Sequence, residues 1–216
     1  MSPRVLLVED HAIIKQALAL ALEQAGLTVE STASVEPEAV LKQAEAFRPA
    51  VVLLDFYLGE ADSLPMIGPL QALGAQVVVL TGTTDPRSLG ACLEEGAVGV
   101  VSKAESLDRV ARAIADAVDG SAVMRPAERD ALLDAARRAR ADERERLAPF
   151  ASLTARERQV LAHLMQGHSA EDVSRIEFVS LATVRSQIRG ILQKLDVNSQ
   201  LAAVTLAQQA GWALDR

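Results

Sequence analysis

The sequence has a single cysteine, Cys92, and only four Phe, one Tyr and one Trp in 216 residues. One thiol cannot build a disulfide framework, which excludes a small secreted scaffold and points to a reducing compartment. The hydrophobic half of the composition is mainly Ala, Val and Leu, which suits helices and buried parallel strands better than an all-β sandwich. No apolar run approaches the ~20 residues that a membrane helix needs. Charged residues at Arg4, Glu9 and Asp10 interrupt anything resembling a signal peptide. A soluble, cytoplasmic protein without a membrane contact is the expectation. Internal repeats and low-complexity tracts are also missing.

Positive charge is short as well. The formal net charge is −7, which at first sight disfavours a nucleic-acid partner. Its distribution changes that reading. Residues 1–124 hold 8 Lys/Arg against 17 Asp/Glu, whereas residues 125–149 and 150–216 each hold 7 basic and 6 acidic residues. The acidity lies in the first part, and a near-neutral later domain can still bind DNA if its basic groups share one face.

The length suits two domains. Apolar runs at 5–8, 27–29, 51–54, 77–80 and 98–101 alternate with helical patterns near 12–25, 36–47, 64–73, 86–95 and 105–119. Such alternation predicts an α/β fold, a doubly wound five-stranded parallel sheet with helices on both faces. Gly120 and Pro126 break the pattern. Residues 127–147 then read as one charged, solvated linker helix with a thin stripe of Leu132, Leu133, Ala136, Ala139 and Ala141, without sustained heptads. From Leu153 the pattern is all helical, opening on the capping box of Thr154 and Glu157. Gly167 ends the first helix, and Ser169, Ser180 and Ser199 precede three more. The expected division is 1–122, a helical linker 123–150, and 151–216.

The strand-like runs of the first domain end in polar residues. Glu9 and Asp10 follow the first, Asp55 the third and Thr81 the fourth, with Lys103 just past the fifth. In an open α/β sheet the carboxyl ends of the strands line one crevice, so these residues are expected to converge. Three carboxylates repel one another unless a hard cation joins them, and Mg²⁺ prefers carboxylates, water and phosphate oxygens. Asp55 could then attack an activated phosphate. The Lys103 ammonium would stabilise the transferred charge, and the Thr81 hydroxyl would bond a phosphate oxygen. Singly, a strand-end Asp is usually a turn cap and a lone Lys a surface charge; the set carries the reading. A dehalogenase-type phosphohydrolase would want a second carboxylate two residues after Asp55, where Tyr57 stands. His11, His163 and His168 read as scattered, without metal-ligand spacing, and Cys92 as a small buried hydrophobe.

In the second domain Val184, Ile188, Ile191 and Leu195 recur at helical spacing and should face a core. Ala182, Arg185, Ser186, Arg189 and Gln193 then lie on the opposite side, with Arg185 and Arg189 one turn apart. Such a helix fits the major groove of double-stranded DNA, where Arg can make paired bonds to guanine. Thr183, Gln187 and Lys194 are placed for phosphates or groove edges.

The first constellation, with Thr81-Gly82 and the run Gly96 to Lys103, resembles the receiver domain of response regulators over about residues 3–122. That resemblance implies the flavodoxin-like fold, Mg²⁺ held by Glu9, Asp10, Asp55 and the Tyr57 carbonyl, and phosphorylation of Asp55 by a sensor histidine kinase. The loop Leu58-Gly59-Glu60-Ala61-Asp62-Ser63 lacks the family's Met-Pro and Asp-Gly, and Val100 stands where the family carries Tyr or Phe. Residues 153–210 resemble the LuxR-type helix-turn-helix domain, with Arg185 and Gln187 where the family often has Lys and His. Ala170-Glu171-Asp172-Val173-Ser174 replaces its usual Asn-Lys-Glu-Ile-Ala. Together these imply a NarL/FixJ-type response regulator. That is a transcription factor rather than an enzyme, homodimeric when active through the helix from Ser199 to Ala210, with DNA binding gated by Asp55. Two alternatives stay open: a receiver working through protein contacts or a ligand without phosphate, and an interaction protein that no longer binds DNA.

Overall fold

The computed structural model describes residues 2–59 and 61–214. It divides into two compact units, Met1–Arg138 and Ala139–Arg216. Glu60, part of the loop contrasted above with the family pattern, lies outside the described residues.

In the first unit, strands β1 (Arg4–Val8), β2 (Thr28–Ser31), β3 (Val51–Asp55), β6 (Gln76–Thr81) and β7 (Gly99–Ser102) form one parallel sheet in the order β2-β1-β3-β6-β7. The continuous apolar runs have a physical consequence. Side chains alternate faces along a strand, so a strand buried on both sides must be apolar at every position. Leu6, Val8, Val52, Leu54, Val77 and Val79 enter one core with α2 (Pro37–Phe47), α3 (Leu64–Ala72) and α4 (Pro86–Glu94). Val5, Leu7, Val51, Leu53, Val78 and Leu80 enter the other with α1 (Ala12–Gln24) and α5 (Leu107–Val118). Cys92 is fully buried in the first core, as its helical apolar context predicts. The sequence pattern does not anticipate the two-residue antiparallel pair β4 (Tyr57–Leu58) and β5 (Ala61–Asp62), which follows β3 directly.

Helix α6 (Pro126–Leu147) is less solvated at its start than its composition suggests. Leu132 and Leu133 pack against the first core, and Ala136 is buried. Gly90 of α4 makes this possible, because a Cβ there would overlap the Leu132 carbonyl oxygen. Arg129 Nη1 donates to the carbonyls of Ala97 (3.4 Å) and Val98 (3.3 Å).

The second unit contains a short 3₁₀ turn (Ala148–Ser152) and helices α7 (Ala155–Met165), α8 (Ala170–Ile176), α9 (Leu181–Lys194) and α10 (Gln200–Ala210). Ser and Thr caps open all four helices. Leu161, Val173, Val184, Ile191, Ala203 and Ala207 are fully buried at the centre, and Phe150 stacks on Trp212 at its edge. The turn between α8 and α9 passes through Phe178 at φ 54°, with the ring fully out in solvent. Among the described residues, no helix is long and apolar enough to cross a membrane.

The Thr154–Glu157 capping box forms reciprocally. Glu157 Oε2 also accepts from Lys194 Nζ at 2.6 Å, tying α7 to the end of α9. Burial works against the Glu157 charge, but Lys194 and the Thr154 amide outweigh it and hold the carboxyl below its ordinary 4.5. Glu157→Gln can keep the capping box but leaves Lys194 without its charge partner, and is expected to destabilise the protein by about 1 kcal/mol at pH 7 in thermal or urea unfolding. A depressed folded pKa gives stability that is present above the unfolded value and lost as pH falls, so the difference should vanish well below pH 4.5.

Candidate functional sites: an acidic crevice and an arginine-bearing helix

Strand order decides the first site. β3 lies between β1 and β6, and in register Val8 pairs with Leu54 and Asp55 with Leu80. Glu9, Asp55 and Thr81 therefore emerge side by side at the carboxyl edge, and Lys103 follows β7, where Thr81 pairs with Ser102. The expected convergence is present.

Lys103 Nζ stands 2.7 Å from Asp55 Oδ2 and 2.7 Å from Glu9 Oε2. One cation thus faces two carboxylates, both almost wholly inaccessible. Burial, helped by the Glu9 charge, outweighs Lys103 and pushes the Asp55 carboxyl up to about 6. Burial opposes the Lys103 charge, but its two carboxylate partners raise its pKa overall. Asp10 sits at the rim. Burial opposes its charge, but the Gly59 amide, donating to Oδ2 at 2.9 Å, and other neighbours hold it below the ordinary carboxylate value. Tyr57 donates its amide to Asp55 Oδ1 at 3.4 Å, and its ring packs edge-on against Phe56. The buried Thr81 hydroxyl accepts from the Thr83 amide at 3.1 Å.

His11, which reads as scattered in the sequence, belongs to this crevice. Its Nδ1 lies 2.9 Å from Glu9 Oε1 and 2.6 Å from Asp10 Oδ1. The hydrogen bond to Glu9 leads the contributions that raise its pKa. Glu9, Asp10, His11 and Asp55 each offer a ligand atom, all within 4.8 Å of one another. The place of His11 directly after Glu9-Asp10 is the signal in the sequence. An oxygen-rich donor set of this kind fits a hard divalent cation such as Mg²⁺.

On α9 the core-facing set Val184, Ile188, Ile191 and Leu195 is buried as its spacing predicts. Thr183, Arg185, Ser186, Arg189 and Lys194 are exposed, and Gln187 is half-buried beside Arg156 and Glu177. Three of these residues have partners within the fold. Arg185 Nη2 meets Glu171 Oε1 of α8 at 3.1 Å, and Lys194 is engaged by Glu157. Thr183 takes part in the Ser180 cap. Two histidines that look scattered in sequence also come together: His163 and His168 meet through their Nδ1 atoms at 3.3 Å.

Comparison with known proteins gives two family matches. Residues 5–115 match the response regulator receiver domain, and residues 151–207 match the luxR family of bacterial regulatory proteins. The virulence-factor transcription regulator BvgA of Bordetella pertussis is 32% identical over 97% of this chain and 98% of its own length. The transcriptional regulatory protein LiaR of Bacillus subtilis is 28% identical over 95% and 97%. Among solved structures, the RcsB response regulator of Salmonella typhimurium shares the fold with a TM-score of 0.51 at 21% identity, over 96% of this chain and 98% of that one.

Proposed function

The chain belongs to the response regulators that join a receiver domain to a LuxR-type DNA-binding domain, and from that premise we propose a cytoplasmic transcription factor whose DNA binding is gated by phosphorylation of Asp55. The receiver is assigned to 1–122, the linker to 123–150 and the DNA-binding domain to 151–216. A sensor histidine kinase is the phosphoryl source, double-stranded DNA the target, and a homodimer, paired through α10, the active form. The observation that carries the reading is Asp55 itself, a carboxylate at the end of the central strand with Lys103 Nζ at 2.7 Å and the acidic group of Glu9 and Asp10 beside it.

In the transfer, an Asp55 oxygen attacks phosphorus, the bond from phosphorus to the donor breaks, and a phosphorus–oxygen bond forms. Glu9, Asp10, Asp55 and the Tyr57 carbonyl are the residues assigned to Mg²⁺, which supplies neutralising charge to the phosphoryl oxygens. Lys103 stabilises the same charge, and the Thr81 hydroxyl donates to a phosphoryl oxygen. The added charge then biases the receiver between two states that the DNA-binding domain reads. On α9, Arg185 and Arg189 are assigned to base edges, with Ser186 on the same face, and Thr183, Gln187 and Lys194 to phosphates and groove edges.

The test is incubation with Mg²⁺ and a small acyl phosphate, read by intact mass and by DNA affinity in the same sample. One phosphoryl adduct is expected, absent in Asp55→Asn, together with tighter DNA binding. DNA binding with no adduct would favour the atypical receiver, for which Val100 in β7 is the specific motive, because no aromatic side chain there can report on the acceptor.

A further inference from the structure

His163 lies in the last turn of α7, and His168 in the link from α7 to α8. Their Nδ1 atoms are 3.3 Å apart, with the rings tilted by 50°. The other nitrogen of His163, Nε2, stands 2.9 Å from Glu177 Oε1, and Arg156 holds Glu177 Oε2 at 3.1 Å. A carboxylate only accepts hydrogen bonds, so Nε2 carries the proton of a neutral His163 and Nδ1 is left as a lone pair. Two ring nitrogens that close need something between them: a proton from His168 or a metal ion.

We propose that this pair is a transition-metal site, taking Zn²⁺ or a similar divalent ion through Nδ1 of His163 and Nδ1 of His168, with Glu177 as the carboxylate that orients His163. Three features support it. Two zinc–nitrogen bonds of about 2.0–2.1 Å meeting at a tetrahedral angle set the nitrogens about 3.3–3.4 Å apart, which is the separation present without rearrangement. The interval of four residues between the histidines falls within the spacing of zinc-binding histidine pairs, which corrects the expectation that they lack metal-ligand spacing. The pattern of carboxylate, histidine and metal is the usual way such a ligand's tautomer is fixed. When the ion enters, the proton on His168 Nδ1 moves to its Nε2, so both rings stay neutral.

The side chain of His163 is 19% exposed and that of Glu177 23%, and the His168 residue is half-buried, so water can complete the coordination shell. The site would clip the end of α8 to α7, next to the Phe178-Val179 turn that leads into α9. Its nitrogen donors also separate it from the crevice around Asp55, where oxygen donors dominate and favour a harder cation.

The experiment uses the tag-free full chain in saturating Mg²⁺, with Zn²⁺ titrated by calorimetry and Cu²⁺ read by electron paramagnetic resonance. One Zn²⁺ per chain and a two-nitrogen hyperfine pattern are expected. Both should disappear in His163→Ala and His168→Ala, and persist in His11→Ala. Glu177→Gln should weaken Zn²⁺ about 10- to 100-fold. His168→Gln, at a turn position outside the helices, serves if His163→Ala fails to fold, with circular dichroism as the check. Zn²⁺ affinity unchanged in the His168 variants, or a copper spectrum with fewer than two nitrogens in the wild type, would overturn the proposal and leave the pair as a plain hydrogen bond.

Discussion

Lys103→Ala is expected to slow phosphoryl acceptance by a small phosphodonor about 10²- to 10³-fold, the usual cost of removing one preorganised group that stabilises transition-state charge. It should also destabilise the Mg²⁺-free protein by about 3–5 kcal/mol at neutral pH, because Glu9 and Asp55 are then buried together with no cation. The two effects have opposite remedies. Mg²⁺ should restore stability without restoring the rate, since it would neutralise the buried carboxylates but would not replace the ammonium at the transferred group. Lowering the pH should restore stability too. A folded pKa raised above the unfolded value gives stability that is complete below the unfolded pKa and lost as pH rises through the folded one. For Asp55 those values are 3.8 and about 6, so wild-type stability in Mg²⁺-free buffer should decline between them, and more steeply once Lys103 is gone. Urea titrations across pH 4–7, with and without Mg²⁺, read all of this; stability indifferent to pH in the variant would remove Lys103 from its assigned place.

Arg185→Ala with Arg189→Ala should reduce specific DNA binding by about 30- to 10⁴-fold, from base contacts worth about 1–3 kcal/mol each. The dependence of affinity on salt should change little if the pair reads bases, and flatten by roughly one ion per lost phosphate contact if it does not. The structure adds a refinement. Arg185 is paired with Glu171 across the gap from α8 to α9, so a groove-bound Arg185 must first leave that carboxylate. Both groups are more than half exposed, so the pair itself is worth only about 0–1 kcal/mol. Glu171→Gln should therefore tighten DNA binding by a few-fold at low salt, mostly by removing a negative charge that would face the phosphates. Fluorescence anisotropy over a salt series separates these cases. Equal affinity of the double variant for specific and random duplexes, with the wild type discriminating, is the expected pattern.

Much of this was readable in the residues because apolar burial leaves a direct trace. The three central strands, β1, β3 and β6, are buried on both faces, so they had to be runs rather than alternations. The core face of α9 follows from Val184, Ile188 and Ile191 at helical spacing. The crevice was legible because four of the strands, β1, β3, β6 and β7, end in or next to a residue with chemistry, and a parallel sheet gathers those ends. What stayed hidden depends on pairing across distance. Glu171 and Arg185 are 14 residues apart on different helices, and their ion pair follows only from the crossing of α8 and α9. Glu157 and Lys194 are the same kind of case, 37 positions apart. His163 and His168 looked scattered because one lies on a helix and one in a turn, and Glu177 has no sequence cue linking it to either. The β4–β5 pair is too short to show a period.

Gly90 carries a consequence for anyone cutting this protein into parts. Without a side chain there, α4 lets the Leu132 backbone rest directly against it, and Ala136 is sealed nearby. The opening turns of α6 are thus stitched into the surface of the first unit. An expression fragment ending at residue 122 would uncover the apolar seam that Leu132, Leu133 and Ala136 close, whereas one ending at Arg138 keeps it covered. The longer fragment should be soluble and monomeric where the shorter one aggregates. A hybrid made by exchanging DNA-binding halves should be spliced after Arg138, and the swap should carry Gly90 and Leu132 together as one piece of masonry.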